Sequence, residues 1–105
     1  EVSDILVDLA QRDTKNQSAV FARKVVPRLQ AAGASVLENS HRNAGFFVLL
    51  APDVPAVLLE MGFLTNPNDA AELTSVKYRG NLMNSLALAI DDYFSPAVVT
   101  QSASR

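Results

Sequence analysis

Cysteine is absent from this sequence, which excludes disulfides, thiolate metal sites and a cysteine nucleophile. Histidine occurs once, as His41, too few for a zinc site that usually takes several His ligands. Four glycines, spaced 12, 17 and 18 residues apart, form no phosphate-cradling loop. Neither charge sign dominates: nine basic against eleven acidic side chains give a formal charge of −2, without the basic excess of a nucleic-acid binder. The longest uncharged stretch, Tyr93 to Ser104, has twelve residues and contains Pro96, so no segment spans a bilayer as a helix. No serine sits in a G-x-S-x-G elbow. There is no initiator methionine and no signal-peptide pattern. The chain reads as an excised or processed segment, one domain or a piece of one.

What is present is globular in composition: 49% of the 105 residues are hydrophobic and 19% charged. Residues 1–42 hold six basic and five acidic side chains, and residues 43–105 hold three and six, too mild an asymmetry to imply an electrostatic partner. Val2, Ile5, Leu6, Leu9 and Ala10 recur at helical spacing, as do Phe21, Ala22, Val25, Val26 and Leu29. Thr14-Lys15-Asn16-Gln17 between them has the capping-box pattern, and Gly33 fits a helix-ending C′ glycine. Pro27 lies inside the second stripe, where an interior proline costs about 3 kcal/mol. Either one helix kinks there or a new helix restarts at Pro27.

Residues 36–44 read as a loop. Gly45 to Leu50 and Ala56 to Leu59 are apolar on both alternating faces, the pattern of strands covered on both sides in an α/β sheet. Two such strands need further strands to pair their edges, so the chain reads as part of a larger α/β domain. Asn66-Pro67 predicts a helix start running to about Leu73. A longer helix follows, with Tyr78, Leu82, Leu86, Ala89, Ile90 and Tyr93 on one face. Asp91-Asp92 near its C-terminus opposes the helix dipole and suggests solvent exposure. Residues 95–105 lose apolar periodicity and read as a flexible tail.

Glu60 is the most informative residue. It closes an apolar strand and precedes Met61-Gly62-Phe63-Leu64, so its carboxylate has to be solvated, paired or bound. Strand C-termini in open α/β sheets border ligand crevices, but position alone favours a structural Glu capped by backbone donors or an Arg, because structural ion pairs are common. Gly62 fits a close backbone approach or a plain turn. His41 reads as a solvated loop histidine, and Arg42 as a partner for a surface carboxylate or an anion. An unrelated two-carboxylate enzyme needs a second acid near Glu60. Asp53 is the sequence-near candidate, and its Pro-flanked turn favours a structural role.

The run Ala44-Gly45-Phe46-Phe47-Val48-Leu49-Leu50-Ala51-Pro52-Asp53-Val54-Pro55-Ala56-Val57-Leu58-Leu59-Glu60-Met61-Gly62-Phe63-Leu64-Thr65-Asn66-Pro67 resembles the C-terminal part of the amidase-3 family, the zinc-dependent N-acetylmuramoyl-L-alanine amidases that hydrolyse bacterial cell wall. The likeness covers residues 3–94 and is strongest over 42–67. It implies a mixed β-sheet flanked by helices, present here only as its C-terminal part (residues 1–94), and a peptidoglycan substrate cut between N-acetylmuramic acid and L-alanine. Glu60 matches the family's catalytic glutamate, implied to activate the zinc-bound water and then protonate the leaving amine. The family's zinc ligands, two His and one Glu, lie in the N-terminal half and have no counterparts here. His41 matches none of them, Ala56 replaces the usual Ser, and Pro27 stands where a polar residue is more usual.

The resemblance therefore implies a Zn2+ cofactor whose ligands lie in the rest of the amidase domain, and an inactive 105-residue chain. It also implies a periplasmic or secreted setting. In some members an activator protein displaces a helix that blocks the zinc, which suits an autolysin of cell division. The alternative is a non-catalytic module derived from that fold that binds cell wall or a partner.

Overall fold

A computed structural model describes residues 1–37, 46, 49 and 51–95. It places three helices in order, α1 (Val2–Ala31), α2 (Pro67–Leu73) and α3 (Val76–Phe94). Among the described residues there is no strand and no sheet, which corrects the expected α/β mixed sheet. Residues 55–63, including the predicted strand 56–59, carry no ladder. Of the other predicted strand only Phe46 and Leu49 are described, and the Leu49 amide donates to the Phe46 carbonyl at 2.9 Å, as in a turn. The physical reason is pairing: an apolar run is a strand only when neighbouring backbones accept its hydrogen bonds, and no described segment does so. The predicted tail lies outside the described residues apart from Ser95, as do residues 38–44 of the predicted loop.

α1 is one continuous helix of 30 residues with Pro27 inside it, which resolves the choice left by the sequence. Pro27 and Arg23 are both exposed, so the Arg23 carbonyl that loses its i+4 donor lies on the wet side of the helix. Thr14 caps nothing, because the helix already begins at Val2 and a capping residue needs non-helical backbone. The C-terminus does follow its signal. Gly33 has φ +89°, its amide donates to the Gln30 carbonyl, and the Ala34 amide donates to the Leu29 carbonyl, both at 3.0 Å. That is a Schellman ending, completed by Ala34 packing against the core that contains Leu29.

α1 and α2 both pack on α3. The core unites Val25 and Leu29 of α1 with Leu82 and Ala89 of α3, and Phe21, Val36, Leu59, Tyr78 and Leu86 lie half-buried around it. Ser85 and Ala89 are small, which lets the helices approach closely. The buried Ser85 hydroxyl is satisfied by donating to the Asn81 carbonyl at 2.9 Å. Ile90, placed by the sequence on the same face, is exposed. So is the first apolar stripe of α1, with Val2 at 71% and Ile5 at 59% exposure.

Polar contacts flank this core. Arg28 Nε and Nη2 donate to the two carboxylate oxygens of Asp92 at 2.7 and 2.9 Å, the bidentate geometry that makes such pairs directional. The sequence placed Asp92 in solvent with Asp91. Asp91 is exposed, whereas Asp92 is half-buried by this pair. Tyr93 donates to the Gln17 side chain at 3.1 Å and meets the Phe21 ring edge-on, with centroids 5.5 Å apart.

The hydrogen bond from Arg28 holds the Asp92 carboxyl below its ordinary range, helped by the charges of Arg28 and Lys24 and opposed by partial burial. A carboxyl with a depressed folded-state pKa stabilises the fold above its unfolded pKa and loses that contribution as pH falls through the depressed value. Asp92→Asn is therefore expected to melt below the parent chain at pH 7. The difference closes as pH falls below about 4, as thermal melts across pH 2–7 would register.

Candidate functional site

Residues 51–66 run from the flank of α1 to the start of α2, and side chains of both helices hold them. The Thr14 hydroxyl donates to the Pro52 carbonyl at 2.6 Å. One turn further along α1, the Ser18 hydroxyl donates to the Thr14 carbonyl at 3.0 Å and accepts from the Ala56 amide at 2.9 Å. The cleft lined by Gln11, Thr14, Lys15, Ser18, Leu49 and Ala51 encloses about 130 Å³, below the range of about 300 Å³ and upward that suits small ligands. Leu59 then packs on the helical core.

Glu60, next in sequence, is exposed and forms no ion pair or hydrogen bond among the described residues. Its neighbours are not buried as the sequence suggested: Leu58 and Met61 are exposed too, and only Leu59 turns inward. Water solvates the carboxylate and removes the desolvation cost that made the position noteworthy.

After Glu60 the chain runs without a turn to Phe63 and turns at Leu64-Thr65, where the Asn66 amide donates to the Phe63 carbonyl at 3.0 Å. Gly62 has φ +142°, and a Cβ there would sit 3.2 Å from Cβ and Cγ of Asp69. Of the two readings of Gly62 the close approach holds, while the turn lies further on, at Leu64-Thr65. The Phe63 amide donates to Asp69 Oδ2 at 3.0 Å. Asn66 caps α2 as predicted, its Oδ1 accepting from the amides of Asn68 and Asp69 at 2.9 and 3.1 Å, with Pro67 at the first helical position.

Asp53 is exposed in the bend at 52–54, and His41 and Arg42 lie outside the described residues. Burial, then the charges of Glu72 and Asp69, raise the Tyr78 phenol above its ordinary value, so it stays protonated at neutral pH and is no general base. A hydrolytic zinc centre takes three protein ligands and keeps one position open. Among the described residues no three His, Cys, Asp or Glu side chains are placed to hold a metal, so these residues do not form the donor set zinc needs. No described helix is long and apolar enough to cross a membrane. Ser18 and Asp69 were not singled out by the sequence, and Thr14 was read only as a helix cap. Thr14 and Ser18 stand i, i+4 on one helix face, a spacing too ordinary to mark them before the segment they hold is known.

The chain matches the N-acetylmuramoyl-L-alanine amidase family Amidase_3 over residues 4–92 and belongs to it. N-acetylmuramoyl-L-alanine amidase AmiA of Escherichia coli K12 is 29% identical over 93 residues, covering 89% of this chain and 32% of that protein. N-acetylmuramoyl-L-alanine amidase AmiC of Neisseria meningitidis serogroup B is 30% identical over 102 residues, 93% of this chain and 23% of that protein. A probable cell wall amidase, LytH of Staphylococcus epidermidis, is 31% identical over 62 residues, 59% of this chain and 21% of that protein. The chain thus spans a third or less of the length of these relatives. No solved structure matches it.

Gly62→Ala forces a side chain into a backbone region that favours glycine and against the Asp69 carboxylate. It is expected to destabilise the fold by about 1–3 kcal/mol, read by chemical denaturation, and to speed amide exchange at Phe63.

Proposed function

We propose that this chain is the part of a zinc-dependent peptidoglycan amidase that carries its general base, Glu60. The reading is supported above all by the family match over residues 4–92, a range that includes Glu60, together with the likeness of the run around Glu60 to the family's own motif. In the reaction, the Glu60 carboxylate takes a proton from the water attacking the amide between N-acetylmuramic acid and L-alanine. It then returns that proton to the departing amine, so one group serves as base and acid in turn. Solvent exposure suits this task, because substrate and water can reach the carboxylate without displacing a bound cation.

Zinc is the cofactor of this reading, held by residues upstream, and the 105-residue chain alone is inactive. The exposed apolar stripe Val2, Ile5, Leu6 and Leu9, with Met61, Phe63 and Leu64 beside the site, fits coverage by the rest of an amidase domain, since isolated surfaces rarely leave so much apolar area bare. Peptidoglycan lies outside the cytoplasmic membrane, so the reading carries a periplasmic or secreted setting, with an activator protein and a part in cell division as its further expectations.

The test compares this chain with a protein extended upstream through the metal-binding half. Only the extended protein is expected to bind zinc and release peptide from purified peptidoglycan. In it, Glu60→Gln is expected to lower kcat by about 10²–10⁴-fold with zinc content unchanged. Zinc-dependent hydrolysis by the short chain, or full turnover in Glu60→Gln, refutes the reading.

A further inference from the structure

We infer that Ser18 and Asp69 are positioning residues for Glu60, an assignment that rests on the reading of Glu60 as the base. The segment that presents Glu60 has no ladder among the described residues and is largely open to water, so its fixed points are the amides that side chains hold. Two side chains supply them on either side of the carboxylate. Ser18 accepts from the amide of Ala56, four residues before Glu60, and Asp69 accepts from the amide of Phe63, three residues after it. Between these points Leu59 lies half-buried against the core, so the residue beside Glu60 is anchored as well.

Both acceptors are themselves fixed. A serine hydroxyl has one proton, and Ser18 commits it to the Thr14 carbonyl at 3.0 Å, which leaves only lone pairs to face Ala56. Asp69 is held through its backbone by Asn66 at 3.1 Å, and Gly62 leaves the room its carboxylate occupies. Ser18 stands on α1 and Asp69 on α2, and both helices pack on α3. The place at which the carboxylate emerges is thus referred to all three helices. A small shift of a catalytic group is costly, with about 1 Å of misplacement worth up to about 100-fold in rate.

The experiment uses the upstream-extended protein and a soluble muramoyl-peptide, with kcat and KM measured for Ser18→Ala and Asp69→Ala, alone and combined with Glu60→Gln. Each single variant is expected to lower kcat by about 10- to 100-fold with KM little changed, and Ser18→Thr and Asp69→Asn, which keep an acceptor oxygen, are expected to recover most of the loss. In the Glu60→Gln background neither alanine variant should cost more, because a positioning residue has nothing left to position. Amide exchange at Ala56 and Phe63 should rise in the corresponding variant. Equal losses in both backgrounds, or unchanged kcat with faster exchange, overturn the inference and leave the base assignment standing. If Glu60→Gln itself keeps full turnover, the base assignment falls and this inference falls with it. Should Ser18→Ala fail to fold, Ser18→Cys, a weaker acceptor, carries the same comparison.

Discussion

The contact of Val25 and Leu29 with Leu82 and Ala89 is the constraint on which the rest of the molecule depends. It joins residues that are far apart in the chain, and both ends of the segment that carries the proposed base are referred to it. α1 carries the hydroxyls that hold residues 52–56, while α3 supports α2, whose Asn66 and Asp69 order the turn after Glu60. Leu59 touches the core directly. Because the buried set is small, the directional contacts at its edge, Arg28 with Asp92 and Gln17 with Tyr93, matter for how the helices are set as well as for how firmly they are held.

Local chemistry was legible wherever one short stretch of sequence determines it. Asn66-Pro67 specified the start of α2, and Gly33 the end of α1, because a cap needs only its own neighbouring backbone. Glu60 was marked by its apolar setting and by the family likeness. The strands were misread because a doubly apolar run reports what can be buried and says nothing about which backbone pairs with it. Asp92 was misread for a related reason: its partner lies 64 residues away, beyond any local pattern. Ser18 escaped notice because a serine one turn after a threonine is ordinary on a helix surface until the segment it faces is known.

The proposed site is an exposed acid on an ordered frame. Neither half of that description follows from the other. The backbone around Glu60 is anchored by an apolar side chain and two side-chain acceptors, yet the carboxylate has no cation or donor beside it among the described residues. Such an arrangement spends ordering on placement and leaves the charge free to meet whatever approaches from outside.

The length of α1 has a mechanical meaning. Its core contact sits in its last third, around Val25 and Leu29, and Ile5 lies about 30 Å away along the axis at 1.5 Å per residue. A tilt of about 5° at that contact swings the far end by about 2–3 Å while moving Ser18 by about 1 Å. Any load placed on the bare end of the helix is therefore geared down before it reaches the loop that bears the acid. Large excursions at one end of the molecule become fine adjustments at the other.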